Sequence, residues 1–590
     1  MTKRLDIRKD IALKGIVAAS GMALAKAYIM PETELCIVKR TIPDSHAELV
    51  RFRNAVLNCR LQIQRIMENL EGVIDPQTIE ILDFQLLLLD DTEFIGRIES
   101  TVSSLNINAE YATKETIDGY VAYLLEMTDN DYLRERTTDI LDLSSRLITT
   151  LSGVDIDLPE PEWPYVAIAR DISPSHVFGL DKSKLQGIIL EKGGITSHCV
   201  ILSRSLGIPC LIQTSGILDA ANFGDMVLLN AIAGYVALNP DDSHKNDYQY
   251  FVSVDEENRR NLKSYILRKS ITSDGVEMKT YANIASKSEA AEAAVSGCEG
   301  VGLFRTEGLF ITSRNKPPSE EVQYEEYSEA AKALNGMPLV IRTLDIGGDK
   351  QVGYMSIERE GNPFLGYRAI RYCLDHPEIF KPQISAILRA GAVGNIKMMF
   401  PMISTMAELT GAKEMVEQVK AELSEKGLTF DANLKIGIMV ETPAAAIDAG
   451  VFAREVDFFS IGTNDLSQYM FAADRLNPKV SNLNSYYQPT LLRTINHIAT
   501  AALEEDVELD ICGQAAEDER LIPVWLAMDI DNLSVSIPSI TSIRRIICNL
   551  DKMKCDKLLD MILRLDTATE VERVLTGFLE RGSYNDSQGF

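Results

Sequence analysis

His198 is the residue in this sequence best placed to do chemistry, because of what flanks it. Gly193-Gly194-Ile195-Thr196-Ser197 leads into it, and an apolar stretch, Cys199 to Leu206, follows. Two glycines let the backbone approach an anion, Thr196 or Ser197 suits a helix cap, and the unbonded N–H groups of a helix start attract phosphate. A neutral imidazole is a competent nucleophile near neutral pH, so His198 is set to accept and hold a phosphoryl group. Arg204, two turns along, offers a cation to an arriving phosphoryl oxygen. With six histidines in 590 residues, one in such a turn is informative. Alone, the turn is equally compatible with a histidine that merely packs at a helix start.

A second constellation decides between these readings. Eight apolar runs recur beyond Ser270, and charged, polar or thiol residues stand at or just after the ends of several of them: Arg305 and Glu307, Arg342 with Asp345-Ile-Gly-Gly-Asp349, Glu441, Asn464-Asp465, and Cys512-Gly513. Two arginines suit a phosphate or carboxylate bidentately, while Glu441 and Asp465 are hard oxygen ligands for a partly hydrated Mg²⁺. Arg475 adds a third cation for a substrate carrying a charge of about −3. A phosphorylated carboxylic acid is the natural ligand. Taken singly, each residue has an ordinary explanation: a surface charge, a helix cap at Glu441, a buried inert thiol at Cys512. Jointly those explanations require unrelated accidents at successive strand ends.

The elements that must position these residues follow from periodicity. The runs are Met278–Ile284, Gly300–Phe304, Leu339–Thr343, Ile396–Phe400, Ile436–Val440, Val456–Ile461, Leu509–Ile511 and Leu533–Val535, alternating with amphipathic helices. That is the pattern of a (β/α)8 TIM-type barrel over residues 273–590, with catalytic residues at the C-terminal strand ends. Upstream, residues 45–151 show helical spacing and form a helical subdomain inserted in a small α/β phosphohistidine domain, residues 15–44 and 152–243. In the latter, one strand is expected over Gly15 to Met30, and Val166–Ile168 and Gly187–Leu190 read as short buried strands. Residues 244–272 suit a connecting helix, and residues 1–14 read as a polar extension. The fold class is therefore α/β and multidomain.

Composition narrows the class further. The formal charge of −27 disfavours nucleic acid and anionic membrane surfaces, and no apolar run is long enough to span a bilayer. Nine scattered cysteines without a CxxC pair fit a reducing compartment, so a cytoplasmic protein is expected.

At these residues the sequence resembles enzyme I of the phosphoenolpyruvate-dependent sugar phosphotransferase system. The stretches GGITSHCVILSRSLGIPC, GVGLFRTEGLF, IRTLDIGGDK, NPFLGYRAIR, IGIMVETPAAA, VDFFSIGTNDLSQYMFAADR and CGQAAEDER carry it, in the family's order, and it runs from about Lys14 to the C-terminus. The resemblance implies that phosphoenolpyruvate phosphorylates His198 and that the group passes to a histidine-containing phosphocarrier protein docked on the helical subdomain. It implies that Arg305, Arg342 and Arg475 hold phosphoenolpyruvate, Asn464 and Asp465 contact phosphate and metal, Glu441 binds Mg²⁺, Cys512 protonates the enolate, and Thr196 and Arg204 support the phosphohistidine. A homodimer through the barrel is implied as well.

Some positions depart from the family's pattern. Gln514 stands where Cys-Gly-Glu is typical, Leu476, Glu517, Ala527 and Asp529 replace glycines, and Gln85 stands where histidine is frequent. Two alternatives remain open on the sequence: a regulatory scaffold that binds the carrier with little catalysis, and a pyruvate phosphate dikinase-like enzyme. The latter needs a nucleotide-binding domain, and no GxxxxGK[ST] loop is present.

Overall fold

The computed structural model describes residues 11–30, 37–70, 84–126, 131–152, 161–172, 180–193, 198–205, 207–313, 316–347, 352, 354–355, 360–475, 477 and 479–583. They divide into two compact units, residues 1–257 and 258–590.

The first unit contains an eight-stranded mixed sheet. Its strands are β1 (Ile11–Lys14), β2 (Ile16–Ala19), β3 (Met22–Ile29), β4 (Tyr165–Ala169), β5 (Leu185–Leu190), β6 (Cys210–Ile212), β7 (Met226–Asn230) and β8 (Tyr235–Leu238), in the order β1-β8-β7-β3-β4-β5-β6-β2. β3, β4, β5 and β6 run parallel in succession. β4 is buried at every position, as expected of a parallel strand covered on both faces. Two elements differ from the expectation. Residues 11–14 are not a solvated extension but pair antiparallel with β8 along its whole length, Ile11 to Leu238 through Lys14 to Tyr235. The single strand expected over Gly15 to Met30 is two, β2 and β3, broken at Ser20-Gly21, and they pair with different neighbours, β6 and β7.

Among its described residues the helical subdomain of the same unit includes α1 (Ser45–Leu70), α2 (Thr92–Leu105), α3 (Ala109–Glu126) and α4 (Asp131–Ser152). They bury a core of their own that includes Phe52, Phe94, Ile98, Ile117 and Leu147. Asp91 caps α2 by accepting from the Glu93 and Phe94 N–H groups. Gln85 is fully buried and donates to Asp142 Oδ2 at 2.9 Å, so it serves the interior of the helical subdomain. Helix α5 (His198–Ser205) follows β5, and helix α6 (Asp242–Lys263) follows β8.

The second unit is a closed barrel of eight parallel strands: β9 (Lys279–Ile284), β10 (Val301–Arg305), β11 (Leu339–Arg342), β12 (Ile396–Phe400), β13 (Lys435–Val440), β14 (Phe458–Gly462), β15 (Glu508–Cys512) and β16 (Asn532–Val535). β16 closes onto β9 through pairs such as Leu533 with Thr280. Near-continuous burial of β11, β12 and β14 is what strands sealed between a packed interior and an outer helical layer require. The helices are stopped and started by local chemistry, as at Thr405 and Glu408, which form a reciprocal capping box.

Candidate active site

Gly193 opens the turn before α5 with φ of 106°, a conformation open to glycine and strained for other residues. Its carbonyl accepts from Gln213 Nε2 at 3.1 Å. His198 is the first residue of α5, so its backbone stands at a helix N-terminus. Cys199 and Val200 anchor the helix in the core beside Ala18 and Ala19 of β2. Arg204 is exposed, and its Nε donates to the Ala18 carbonyl at 2.7 Å, tying the end of α5 to β2. Thr196 lies outside the described residues, as do Leu476 and Asp349.

The barrel assembles a denser cluster. Arg305 and Arg342 end neighbouring strands in register, the first exposed and the second 7% exposed. Arg342 is held between Glu307, at 2.7 Å, and Asp345, at 3.3 Å. Burial opposes its charge, but Glu307, Asp345 and Glu441 outweigh that and raise its pKa, so it stays a guanidinium. Arg368 also grips Asp345, through contacts of 2.9 and 3.0 Å, and stands 3.8 Å from Asp465. Burial again works against its charge and is outweighed, here by Asp345 and Asp465.

Glu441 follows β13 and is 1% exposed. The helix after it is capped by Thr442, whose hydroxyl accepts from the Ala445 N–H, so Glu441 is not consumed as a cap. It accepts from the Met402 N–H at 2.6 Å. Burial, then the charges of Asp465 and Asp345, push its carboxyl up to about 8 against the pull of Arg342 and Arg368. Asp465 sits in the first turn of helix α7 (Thr463–Phe471), just past β14. Arg475 approaches its Oδ1 at 3.5 Å, and that buried oxygen has no hydrogen-bond donor among the described residues. Two neighbouring buried carboxylates, one with an oxygen that lacks a hydrogen-bond donor among the described residues, form a donor set suited to a hard cation that keeps water and substrate oxygens as its other ligands. Among the described residues no group of three or more His, Cys, Asp or Glu is arranged to hold a metal alone.

Asn464 Oδ1 accepts from Tyr486 OH at 2.8 Å and from the Gln514 N–H at 3.1 Å, and Tyr486 OH also reaches Gln514 Oε1 at 3.1 Å. Gln514 thus keeps a place at the mouth by hydrogen bonding. Glu517 accepts from the Ser536 N–H at 2.6 Å and stabilises the chain after β16. Asp529 has φ of 57°, a left-handed position that glycine would occupy without strain, and pairs with Lys552 at 3.1 Å. Cys512 ends β15, 3% exposed beside Leu303, Val340, Met399, Met439 and Phe458. Burial, with Asp510 nearby, pushes its thiol up to about 12, so it carries a proton at neutral pH.

The barrel therefore brings Arg305, Arg342, Glu441, Asn464, Asp465, Arg475 and Cys512 to one end. Residues 259–552 match the model of the PEP-utilising enzyme PEP-binding domain, residues 161–234 the mobile domain and residues 14–136 the N-terminal domain of those enzymes. A phosphoenolpyruvate-protein phosphotransferase of Staphylococcus carnosus (strain TM300) is 38% identical over 562 residues, covering 95% of this chain and 97% of its own. One of Bacillus sp. (strain S) is 37% identical, with the same coverage. The chain belongs to the phosphoenolpyruvate-protein phosphotransferase family.

Three residues of the phosphotransferase mouth and barrel escaped the sequence reading. Arg368 lies in NPFLGYRAIR, far from any strand end, and only the folded loop brings it to Asp345. Ser460 and Asp510 sit inside strands, and the available signal was a lone carboxylate at the centre of the run Leu509–Ile511.

Proposed function

We propose that this chain transfers the phosphoryl group of phosphoenolpyruvate to His198, releases pyruvate, and passes the group on to a histidine-containing phosphocarrier protein. The observation that carries the reading is the barrel mouth itself: buried Arg342 and Arg368 locked by Glu307 and Asp345, beside the Glu441–Asp465 pair and a protonated Cys512.

Phosphoryl transfer is mainly positioning and neutralisation of charge. Arg305, Arg342 and Arg475, with Arg368, hold the carboxylate and phosphate of the substrate; Asn464 donates to a phosphate oxygen. Because Glu307, Asp345 and Asp465 fix the guanidiniums of Arg342, Arg368 and Arg475 beforehand, little reorganisation of these three remains for the reaction. Glu441 and Asp465 would hold Mg²⁺, which supplies positive charge to the phosphate and enolate oxygens when bound. The His198 imidazole attacks phosphorus, an N–P bond forms as the bridging P–O bond breaks, and the electron pair leaves on the enolate. The Cys512 S–H then protonates the enolate methylene carbon to give pyruvate. At α5, the helix N-terminus steadies the phosphohistidine, aided by Thr196 and Arg204.

Exposed Leu57 and Leu61 of α1, with Leu87, give the helical subdomain an apolar surface that suits carrier docking. Homodimerisation through the barrel and a cytoplasmic location complete the reading.

Pyruvate release tests it. With phosphoenolpyruvate and Mg²⁺ the protein alone should yield one pyruvate per chain and then stop, resuming only when a histidine-containing phosphocarrier is added; His198→Ala should yield none. Carrier binding without any pyruvate from the wild type would favour a regulatory scaffold instead.

A further inference from the structure

Beneath Cys512 the barrel interior holds a column of polar side chains that the reaction above does not use. Glu508, Asp510 and Cys512 alternate along β15, so all three face the barrel axis at successive heights. Ser460 of β14 is the register partner of Asp510. Its Oγ lies 3.0 Å from Asp510 Oδ2 and 3.5 Å from Cys512 Sγ. A hydroxyl has one proton, so Ser460 donates to one of these groups while accepting from the other. Ser534 of β16 brings its Oγ to 3.0 and 2.9 Å from the two Asp510 oxygens. A Cβ at Gly302 of β10 would collide with Ser534 Oγ, so the strand approaches this pair closely only as glycine.

Under Asp510 lies a cavity of about 10 Å³ whose polar lining is Tyr281, Lys397, Ser460, Glu508, Asp510 and Asn532. That is room for about one water molecule. Asn532 Oδ1, buried in the same wall, has no hydrogen-bond donor among the described residues. Lys397 and Glu508 pair at 2.5 Å farther down, with the Glu508 side chain 30% exposed, so the column ends at solvent.

We infer that Asp510, acting through Ser460, returns a proton to the Cys512 sulfur after each enolate has been protonated. The inference rests on Cys512 being the proton donor of the proposed reaction. When the Cys512 S–H bond breaks and the new C–H bond forms, a buried thiolate remains. Ser460 gives its O–H proton to that sulfur and takes one from the Asp510 carboxyl; the Asp510 carboxylate then regains a proton from water through the cavity. No electrons change hands. Burial first, and then Glu508, pushes the Asp510 carboxyl well above its ordinary range, against the pull of Ser534, Ser460 and Lys397, so a proton is on hand there. Tyr281 and Cys512 are the other titratable groups that face it. Asp510 and Ser460 are positioning and relay residues, as neither touches substrate.

Two exchange reactions separate this role from a structural one. Movement of ¹³C from labelled pyruvate into phosphoenolpyruvate needs no new proton, because the one given to the enolate can be taken back from the next pyruvate. Deuterium uptake into the pyruvate methyl group from D₂O requires the Cys512 proton to exchange with solvent. Both are read by mass spectrometry on the full chain with phosphoenolpyruvate, pyruvate and Mg²⁺. The expected result is that Asp510→Asn and Ser460→Ala each lower the ratio of deuterium to carbon exchange by about tenfold or more, and that Ser460→Thr restores it. Equal falls in both exchanges, or an unchanged ratio, would overturn the relay. Cys512→Ala separates the two claims: if it still takes up deuterium at the wild-type ratio, the assignment of Cys512 fails; if it loses uptake while Asp510→Asn keeps the wild-type ratio, only the relay fails.

Discussion

Cys512 is buried among apolar side chains, and that environment makes it a poor nucleophile and a good proton store. The sign follows from the shift: its folded pKa, pushed up to about 12, lies above that of an exposed thiol, so the protonated form persists as pH rises through the usual thiol range. Its alkylation by iodoacetamide should therefore stay slow between about pH 7 and pH 10, where a free thiol accelerates; rapid modification near pH 8 would contradict the burial argument. Cys512→Ala should leave phosphoenolpyruvate binding in place and lower pyruvate formation by roughly 10²-fold or more, as loss of a general acid does. Glu441→Gln and Asp465→Asn should each abolish the rise in thermal midpoint that Mg²⁺ gives the wild type, measured without substrate. A full Mg²⁺ response in both variants would place the cation elsewhere.

At the scale of elements, the connection into the barrel depends on Arg544, which is wholly buried in the helix Ile540–Asn549. It donates to the Ile266 and Gly297 carbonyls at 2.8 and 2.5 Å, to Ser270 Oγ at 3.0 Å and to Thr280 Oγ1 at 2.7 Å. Arg544→Ala removes the donor that these carbonyl and hydroxyl oxygens share and the buried cation that faces Glu299, and should cost about 3–5 kcal/mol in urea unfolding of the barrel; a loss below 1 kcal/mol would mean the network is dispensable. Nothing in the sequence marks Arg544, since its partners come from four separate segments. The strands were legible for the opposite reason. Each barrel strand is a short apolar run with its own boundary signals, and Ile396–Phe400 matches without adjustment. Residues 11–14 were missed because a four-residue edge strand with a lysine looks polar, and its pairing with β8 joins segments over 200 residues apart. In the site, Arg342, Glu441 and Cys512 were visible as strand-end residues. Arg368 was not, because a loop and not a strand delivers it.

For the whole molecule, the two units have separate cores: Phe52, Tyr165 and Ile189 belong to the first, and the barrel core to the second. Calorimetry should resolve two unfolding transitions, with Mg²⁺ and phosphoenolpyruvate raising only the barrel's; at about 100 times Kd the linkage is roughly 2.7 kcal/mol. A single transition that shifts as one would show the units to be energetically coupled. The excess of 86 acidic over 59 basic residues favours a basic carrier, and association with one should weaken as salt rises.

In the proposed reaction phosphorus moves from phosphoenolpyruvate to one histidine. Intact-mass measurement of the purified chain after incubation with phosphoenolpyruvate and Mg²⁺ addresses it directly, with His198→Ala in parallel. The wild type should gain one phosphoryl group, labile in acid and stable in base, and the variant none. An unlabelled wild type that still binds phosphoenolpyruvate, or a variant labelled as fully as the wild type, would contradict it.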